Sequence, residues 1–491
     1  MLFTKFEYFG ILIRKLNVHL KLNIMKKNRF DFSQISTRVE FEQLMEKAQL
    51  VYSLGQTKSL VWLPYGIEIL NSFSNFLRET MKSYDFSEYI FPSITEYSNF
   101  EIIKDNIFDF EKKIFRLGEY ILRPSGEVVI YPFFKEWVKS GKKLPLKVYQ
   151  IGNLFRKSSS GGLFRGKEAP YFIEGHTAHL TREEATKQFL ENDKIIEKYL
   201  NYFGLPIVKL VTPIWTNKPV AEEVHIFNVM LPNGEVCSAA NNYSQMQIFS
   251  KIFKIETFVN GKKDFTYQTN FGFSSRLLFL SLWVSSDQYG LNILPSLAPY
   301  KVHILDMNFK NDEKIASKIK DVMNHLSMAG ISYFFDNDYS KSVGKRRRTQ
   351  ELAGVPLRIE IGKDEIANKL IKIVRRYDFE EKFINCDNLV KEITIFLEDA
   401  EKAWHSRLLS NLNLRQSKAE SIEDVQLCCK NNSLSLSVFP LCYSENCVRE
   451  MEKRVGRGEV IGYTKNSDDH YGECLVCKKR TFYTSFYGRR F

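Results

Sequence analysis

The sequence predicts an α+β protein of about three domains, on three observations: long amphipathic helices, alternating runs of antiparallel type, and a terminal cysteine cluster at metal-ligand spacing. At 491 residues the chain exceeds what one compact core holds. Apolar residues make up 44% and aromatic residues 14%, enough to bury sizeable cores, so the bulk of the chain is not of a disordered class. Charged and polar residues interrupt every candidate for the roughly 18 apolar residues a membrane span needs, so no membrane partner is expected.

From about residue 37, FEQLMEKAQLVYSLG reads as a helix. A second follows in WLPYGIEILNSFSNFLRETMKSYDF, where Ile67, Ile69, Leu70, Phe73, Phe76 and Leu77 recur near helical spacing. YIFPSI, with Pro92, reads as a short strand ending. Segments 114–123 and 145–156 alternate like antiparallel strands, and a third strand runs through YFIEGHTAH. Thr181 and Glu184 form a capping box, opening a helix with Ala185, Phe189, Ile196, Tyr199 and Phe203 on one face and Gly204 and Pro206 at its end. VHIFNVML reads as a strand, whereas LLFLSLWV fits a buried strand or a buried helix. Pro295 and Pro299 bracket a boundary, after which strands and helices alternate as in an α/β domain. The expected segments are an extension over 1–30, a first domain over 31–297, a second over 298–405 and a third over 406–491.

The formal charge of +12, from 70 basic and 58 acidic residues, suits a polyanionic partner. It equally fits a composition biased toward Lys, Asn, Ile and Phe. Residues 1–30 are basic, nearly free of acids and without Ser. They read either as an organellar import segment or as an extension upstream of a true start at Met25.

Eight cysteines occur. Cys442 and Cys447 form C-x4-C, Cys474 and Cys477 form C-x2-C, and 26 residues lie between the pairs. Paired thiolates at short spacing fit a closed, structural Zn2+ site in a reducing compartment, here the cytoplasm. Cys428 and Cys429 read as packing residues.

Four segments carry a resemblance: Arg123-Pro-Ser-Gly-Glu127, LPLKVYQIGNLFR ending at Arg156, EGHTAHLTREEA from Glu174, and Gly272-Phe-Ser-Ser-Arg276. In this order they resemble the proline-recognition loop, motif 2 and motif 3 of prolyl-tRNA synthetases of the archaeal/eukaryotic type, and the likeness runs from roughly Phe41 to the last residue. The resemblance implies an antiparallel-sheet catalytic core of class II synthetases, an α/β anticodon-binding domain and a small zinc-binding α+β C-terminal domain. It implies a proline--tRNA ligase using ATP with Mg2+, acting on proline and tRNA(Pro) as a homodimer.

The chemistry explains the residue types. Activation brings an amino-acid carboxylate against the α-phosphate of ATP, so negative groups meet and fixed arginines are required. By the resemblance, Arg156 bridges that phosphate and the carboxylate, Arg276 holds the γ-phosphate, and Ser125 and Glu127 receive the secondary ammonium of proline. Arg165, Lys167 and Glu168 correspond to an ATP clamp, with Lys167 where arginine is usual. Ser158 stands where motif 2 carries glutamate. In CSAANNYSQMQIFSKIF, Ser238, Asn241 and Tyr243 take the places of glutamine, threonine and histidine at ATP or proline contacts, while Ser274 and Ser275 keep the motif 3 hydroxyls. Two further readings follow from these departures: a paralogue that binds tRNA or a partner with weak or no charging, and an enzyme for another small amino acid. His176 and His179 read as packing residues.

SVGKRRRTQELAGVPLRIEIG resembles the anticodon-binding domain, with Glu351 and Arg358 near the anticodon bases and Lys345, Arg346 and Arg347 on the RNA backbone from a basic loop. Phe491 ends the chain where the family closes on tyrosine. Between Glu168 and Arg276 there is no room for a large inserted editing domain, so no hydrolysis of mischarged alanine is expected.

Overall fold

The structure, a computed structural model, describes residues 35–54, 59–106, 111–157, 162–164, 166–217, 220–307, 312–431, 436–465 and 472–491, with the side chains of Leu54, Ser59, Asn217 and 407–414 set aside. Arg165, Ser158 and the 1–30 extension lie outside the described residues. Two compact units emerge: Leu50–Ser281 with Ser406–Phe491, and Leu282–His405 with the chain up to Gln49.

The first unit is organised by a sheet that has eleven strands among the described residues. In chain order they are β1 (Ser87–Glu88), β2 (Leu146–Phe155), β3 (Glu168–His179), β4 (Ile207–Val211), β5 (Glu223–Met230), β6 (Glu235–Met246), β7 (Tyr267–Phe273), β8 (Gln416–Lys418), β9 (Leu436–Pro440), β10 (Glu459–Lys465) and β11 (Tyr483–Arg490). Their order across the sheet is β8-β9-β11-β10-β4-β5-β6-β7-β3-β2-β1. The cysteine-bearing end of the chain therefore continues the central sheet, and β11 also pairs in parallel with β6 through Glu235 and Arg489.

The helix Arg182–Tyr202 forms as its capping box dictates, with Glu184 N bonded to Thr181 Oγ1 at 3.2 Å. It packs through a buried polar knot in which Asn242 Nδ2 donates to Asp193 Oδ1 at 2.9 Å and His225 Nδ1 lies 2.6 Å from Asp193 Oδ2. Burial works against a charged His225, but bonds to Asp193 and Glu223 outweigh it and raise its pKa to about 9.

Several local expectations change. The first helix stops at Lys47, and Val51–Leu54 instead pairs as a strand with Ser59–Trp62. YIFP forms no strand: after β1 the chain is irregular, and the carbonyl of Phe91 accepts from Arg123 Nη1 at 3.1 Å. LLFLSLWV lies in the helix Arg276–Ser285. A helix over Glu127–Lys139 is new, and Pro132 inside it broke the sequence signal.

The second unit holds a five-stranded sheet in the order Tyr333–Asp336, Val302–Asp306, Leu357–Ile361, Ile371–Arg375, Glu381–Ile384, the first three parallel and the rest antiparallel. Ile315, Ile319, Val322 and Leu326 of the helix Glu313–Met328 and Leu389, Ile393 and Phe396 of the helix Leu389–Leu414 close its core. Trp283 belongs here, stacked on Phe41 with centroids 5.4 Å apart and donating to the Ile35 carbonyl at 2.8 Å.

Candidate active site

Strand alternation places every second side chain of β3, β6 and β7 on one face of the large sheet, and that face carries the site. Two cavities meet there. One, of about 450 Å³, is lined by Trp62, Phe164, Phe279 and Glu168. The other, of about 400 Å³, is lined by Ser125, Glu127, Glu174, Tyr243, Gln245 and Asn270. Arg156, Phe172, Ser274 and Arg276 line both and form their shared wall.

The two guanidinium groups are fixed alike. Arg156, just past the end of β2, donates Nε to the Pro124 carbonyl at 3.0 Å, and Arg276, at the start of its helix, donates Nε to the Phe164 carbonyl at 3.0 Å. Burial lowers the pKa of Arg156, Glu174 opposes that shift, and Arg276 adds to it. Two like charges held this close favour an anion between them. Phe172 lies under Arg156, its ring centroid 5.9 Å from the guanidinium carbon.

Glu127 sits at the first residue of its helix. Gln245 Nε2 and Asn270 Nδ2 both donate to its Oε1, at 3.3 and 3.2 Å. Beside it the buried Ser125 hydroxyl has no hydrogen-bond partner within the described structure. An orphaned hydroxyl next to a carboxylate suits a ligand ammonium that donates to both.

A buried relay holds this loop from below. Glu174 accepts from Gly126 N at 3.0 Å and from Gln150 Nε2 at 3.1 Å, while Arg123 Nη1 donates to Gln150 Oε1 at 2.6 Å. Approach is so close that a Cβ on Gly126 would meet Glu174 Oε2 at 2.5 Å, and one on Gly152 would meet Arg123 Nη2 at 2.1 Å. Burial, followed by the Glu127 charge, raises the Glu174 pKa to about 7. His176 is buried and its pKa falls to about 4 through desolvation, so it stays neutral and bonds to Tyr131 with Nδ1 at 3.1 Å from the hydroxyl.

The fold thus gathers Ser125, Glu127, Arg156, Glu168, Ser238, Asn241, Tyr243, Ser274 and Arg276 around the paired cavities. Ser238 Oγ donates to Asn241 Oδ1 at 3.0 Å, and burial raises the Tyr243 pKa to about 12. Lys167 is exposed and lines neither cavity, although its carbonyl accepts from Arg156 N at 2.7 Å. Sequence reading passed over Gln245, Asn270, Phe172 and the relay role of Glu174. The signal was present: Gln245 lies two residues beyond Tyr243 on β6, and Asn270 and Gly272 alternate on β7.

The four cysteines converge, with all Sγ atoms within 4.8 Å of one another and Cys442 Sγ 3.2 Å from Cys447 Sγ and 3.7 Å from Cys477 Sγ. A tetrahedral zinc with Zn–S bonds of about 2.3 Å needs separations of about 3.8 Å, so the cluster fits. Burial alone would raise the Cys474 thiol, yet backbone N–H groups of Cys442, Cys477 and Val476 outweigh it and lower its pKa to about 7.

In the second unit the basic run is a helix, Val343–Ala353, capped by Ser342. Its side chains divide between the interior and the surface. Arg346 is buried and donates to Asp336 Oδ1 at 2.9 Å and to the Asp306 carbonyl at 2.7 Å. Arg358 is also buried, on Glu360 Oε1 at 2.8 Å and Gln350 Oε1 at 2.7 Å. Both guanidinium groups are turned inward onto these partners, because helical periodicity directs one residue of the run to the interior and strand alternation does the same to Arg358. Lys345 is exposed, Arg347 is half-exposed and paired with Glu360 at 2.6 Å, and Glu351 is half-buried.

Residues 108–284 match the tRNA synthetase class II core domain (G, H, P, S and T), and residues 301–394 match an anticodon binding domain. The proline--tRNA ligase of Sulfurisphaera tokodaii is 30% identical over 437 residues, covering 85% of this chain and 90% of that protein. That of Methanopyrus kandleri is 28% identical over 473 residues, covering 93% and 95%. The structure of Giardia lamblia prolyl-tRNA synthetase in complex with prolyl-adenylate is similar with a TM-score of 0.86 at 25% identity, covering 93% of this chain and 99% of that one. With both domains present in this order and the alignment running nearly end to end, the chain belongs to the proline--tRNA ligase family of class II aminoacyl-tRNA synthetases.

Proposed function

We propose that this chain is a proline--tRNA ligase, which activates proline as prolyl-adenylate and transfers the prolyl group to the 3′ end of tRNA(Pro). The observation that carries this reading is the wall shared by two cavities, with Arg156 and Arg276 in it and Ser125 and Glu127 on one side. In the first step a proline carboxylate oxygen attacks the α-phosphorus of ATP. The new O–P bond forms as the bond to the bridging oxygen breaks, and pyrophosphate leaves with that electron pair. In the second step a terminal ribose hydroxyl attacks the carbonyl carbon. The ester bond forms, the mixed-anhydride bond breaks, and AMP leaves with the hydroxyl proton on its phosphate.

Arg156 serves both phosphate and carboxylate because its rigid fork, pinned through Nε, presents the remaining N–H groups in one plane. Arg276 neutralises the departing phosphates. Glu127 and the Ser125 hydroxyl take the secondary ammonium, Ser274 in the shared wall offers its hydroxyl to the nucleotide, and Ser238 and Asn241 offer hydroxyl and amide groups to it from the Glu127 side of that wall. Glu168, which accepts from Asn153 Nδ2 at 2.6 Å, is the carboxylate on the ATP side. One carboxylate there would suit Mg2+, which would supply counter-charge to the triphosphate. Cys442, Cys447, Cys474 and Cys477 would hold a structural zinc.

Lys345, Arg347 and Arg348 are the cations of the basic helix that reach solvent and fit an RNA backbone. A homodimer is the expected assembly. The exposed Ile94, Leu117 and Tyr120 on the small sheet of strands Ile94–Glu96, Phe115–Leu117 and Tyr120–Leu122 supply an apolar face for it. The cytoplasm is the proposed compartment, with residues 1–30 the segment an import route would use; no helix among the described residues is long and apolar enough to cross a membrane.

Pyrophosphate exchange over a panel of amino acids tests the function, and proline alone should drive it. Silence across the panel would favour the tRNA-binding paralogue that Ser238 and Tyr243 suggest, and a different winner would reassign the amino acid. The relay beneath the loop gives a second expectation. In Glu174→Gln an amide donor replaces the oxygen that accepts from Gln150, so either that bond or the Arg123 bond is lost. Losing one buried hydrogen bond costs about 1–3 kcal/mol, so KM for proline should rise about tenfold while KM for ATP stays near its original value. Equal rises in both constants would contradict this role.

A further inference from the structure

Glu127 and Glu174 both line the cavity that holds Ser125, and Gly126 links them: its N–H donates to Glu174 Oε1 at 3.0 Å and Glu127 follows it in the chain. Among the described residues neither carboxylate has a cation in contact. Their donors are neutral: Gln245 and Asn270 on Glu127 Oε1, the Gly126 N–H and Gln150 Nε2 on Glu174. Arg123 directs Nε to the Asn153 carbonyl at 2.8 Å and Nη1 to the Phe91 carbonyl and Gln150 Oε1, so it acts on Glu174 by way of Gln150 and through space.

Two like charges in a desolvated wall without a counter-ion are costly, and the usual outcome is that one of them takes up a proton. Glu174 is the one placed to do so, being buried where Glu127 is half-buried. A carboxylic acid keeps lone pairs for both of its present donors. With its pKa raised to about 7 by burial and then by the Glu127 charge, Glu174 changes protonation near neutrality. The other ionisable groups around it hold one state there. Burial raises the phenols of Tyr131 and Tyr243 and lowers the imidazole of His176, so all three are neutral, while Arg123 and Arg156 stay cationic.

We propose that Glu127 and Glu174 carry one negative charge between them in the empty pocket and two when proline is bound, the secondary ammonium entering with release of one proton from Glu174. The O–H bond of the Glu174 carboxyl breaks, its electron pair stays on the carboxylate, and the proton passes through the cavity to water. The ammonium keeps its own protons and supplies the positive charge that the wall lacks. Glu174 is thus a positioning residue that acts through Gly126 and Glu127. This assignment rests on the ligase reading and adds a coupling between amino-acid recognition and pH. The bound cation favours ionised Glu174 and lowers its pKa from about 7. Binding is therefore strongest above that pH and weakens as pH falls through it.

The test titrates L-proline into the full-length protein by calorimetry, in buffers that differ in ionisation heat. The unaltered protein should release about half a proton per proline at about pH 7 and nearly one at about pH 6, and its affinity should fall about tenfold from about pH 8 to about pH 6. Glu174→Gln, with no proton to lose, should bind weakly at every pH in this range and release none. Gln150→Met removes an amide donor from the ionised carboxylate, so the midpoint of its affinity profile should move to higher pH. A residue that only held the loop in shape would lower affinity equally at all pH values and leave proton release unchanged. Binding without proton release in the unaltered protein overturns the proposal, as does release that persists in Glu174→Gln. If Glu174→Gln does not fold, an unmoved midpoint in Gln150→Met overturns it. Absence of proline binding by the unaltered protein at every pH would instead overturn the ligase reading, and this assignment with it.

Discussion

Replacing Arg156 by alanine is expected to lower proline-dependent pyrophosphate exchange by about 1,000-fold, equivalent to about 4 kcal/mol of lost transition-state stabilisation. Charge on the reacting phosphate grows as the carboxylate attacks, and Arg156 stands where both cavities meet. Its neighbour Arg276 cannot substitute, being held on its own carbonyl across the wall. Lysine at this position restores the charge and not the planar fork, nor the bond from Nε to the Pro124 carbonyl. Arg156→Lys should thus recover only part of the loss, about 100-fold below the unaltered enzyme. The decisive measurement is exchange at saturating proline and ATP, because a defect of this origin appears in the maximal rate. A variant whose entire defect disappeared at saturation would show that Arg156 only binds substrate.

Removing zinc should have the next largest effect, on stability. Cys442 and Cys447 flank the turn after β9 and enter the helix Glu445–Val455, while Cys474 and Cys477 precede β11. The metal would join two segments whose strands lie side by side in the large sheet, and β11 reaches β6. Four thiolates without a cation repel one another, and metal binding of this kind is itself folding free energy. Cys474→Ser, or chelation of the intact protein, should lower the unfolding temperature by about 10 °C, corresponding to roughly 4–5 kcal/mol for a unit of this size. Metal analysis should return one zinc per chain in the unaltered protein and a fraction of that in Cys474→Ser. A chelator-treated protein that melts at the same temperature with no metal bound would show that the cluster is held by packing alone.

Much of the site was legible because its residues sit in local patterns. Arg123 to Glu127, Arg156 and Arg276 are each fixed in sequence beside a strand or a helix start, and Thr181 with Glu184 announced its helix through hydrogen bonds three residues apart. Other parts were hidden because the deciding contact is remote. Glu127 meets Gln245 and Asn270 from 118 and 143 residues away, and no local period encodes such a meeting. Arg346 looked like one of four equivalent surface cations, yet its turn of helix faces Asp336 and Asp306.

The sequence alone determined the α+β class and the spacing of the cysteine pairs, since periodicity, capping and short-range spacing are local properties of the chain, and it was the resemblance that marked Arg156 and Arg276. Tertiary structure alone decided three things: that the arginines share one wall, that the C-terminal segment extends the central sheet, and that Glu174 lies against the loop of Glu127. Each of these depends on the register and order of strands distant in the chain. Sheet pairing sets that order through hydrogen bonds between main-chain groups, which every residue type carries alike and which leave little trace in the side chains.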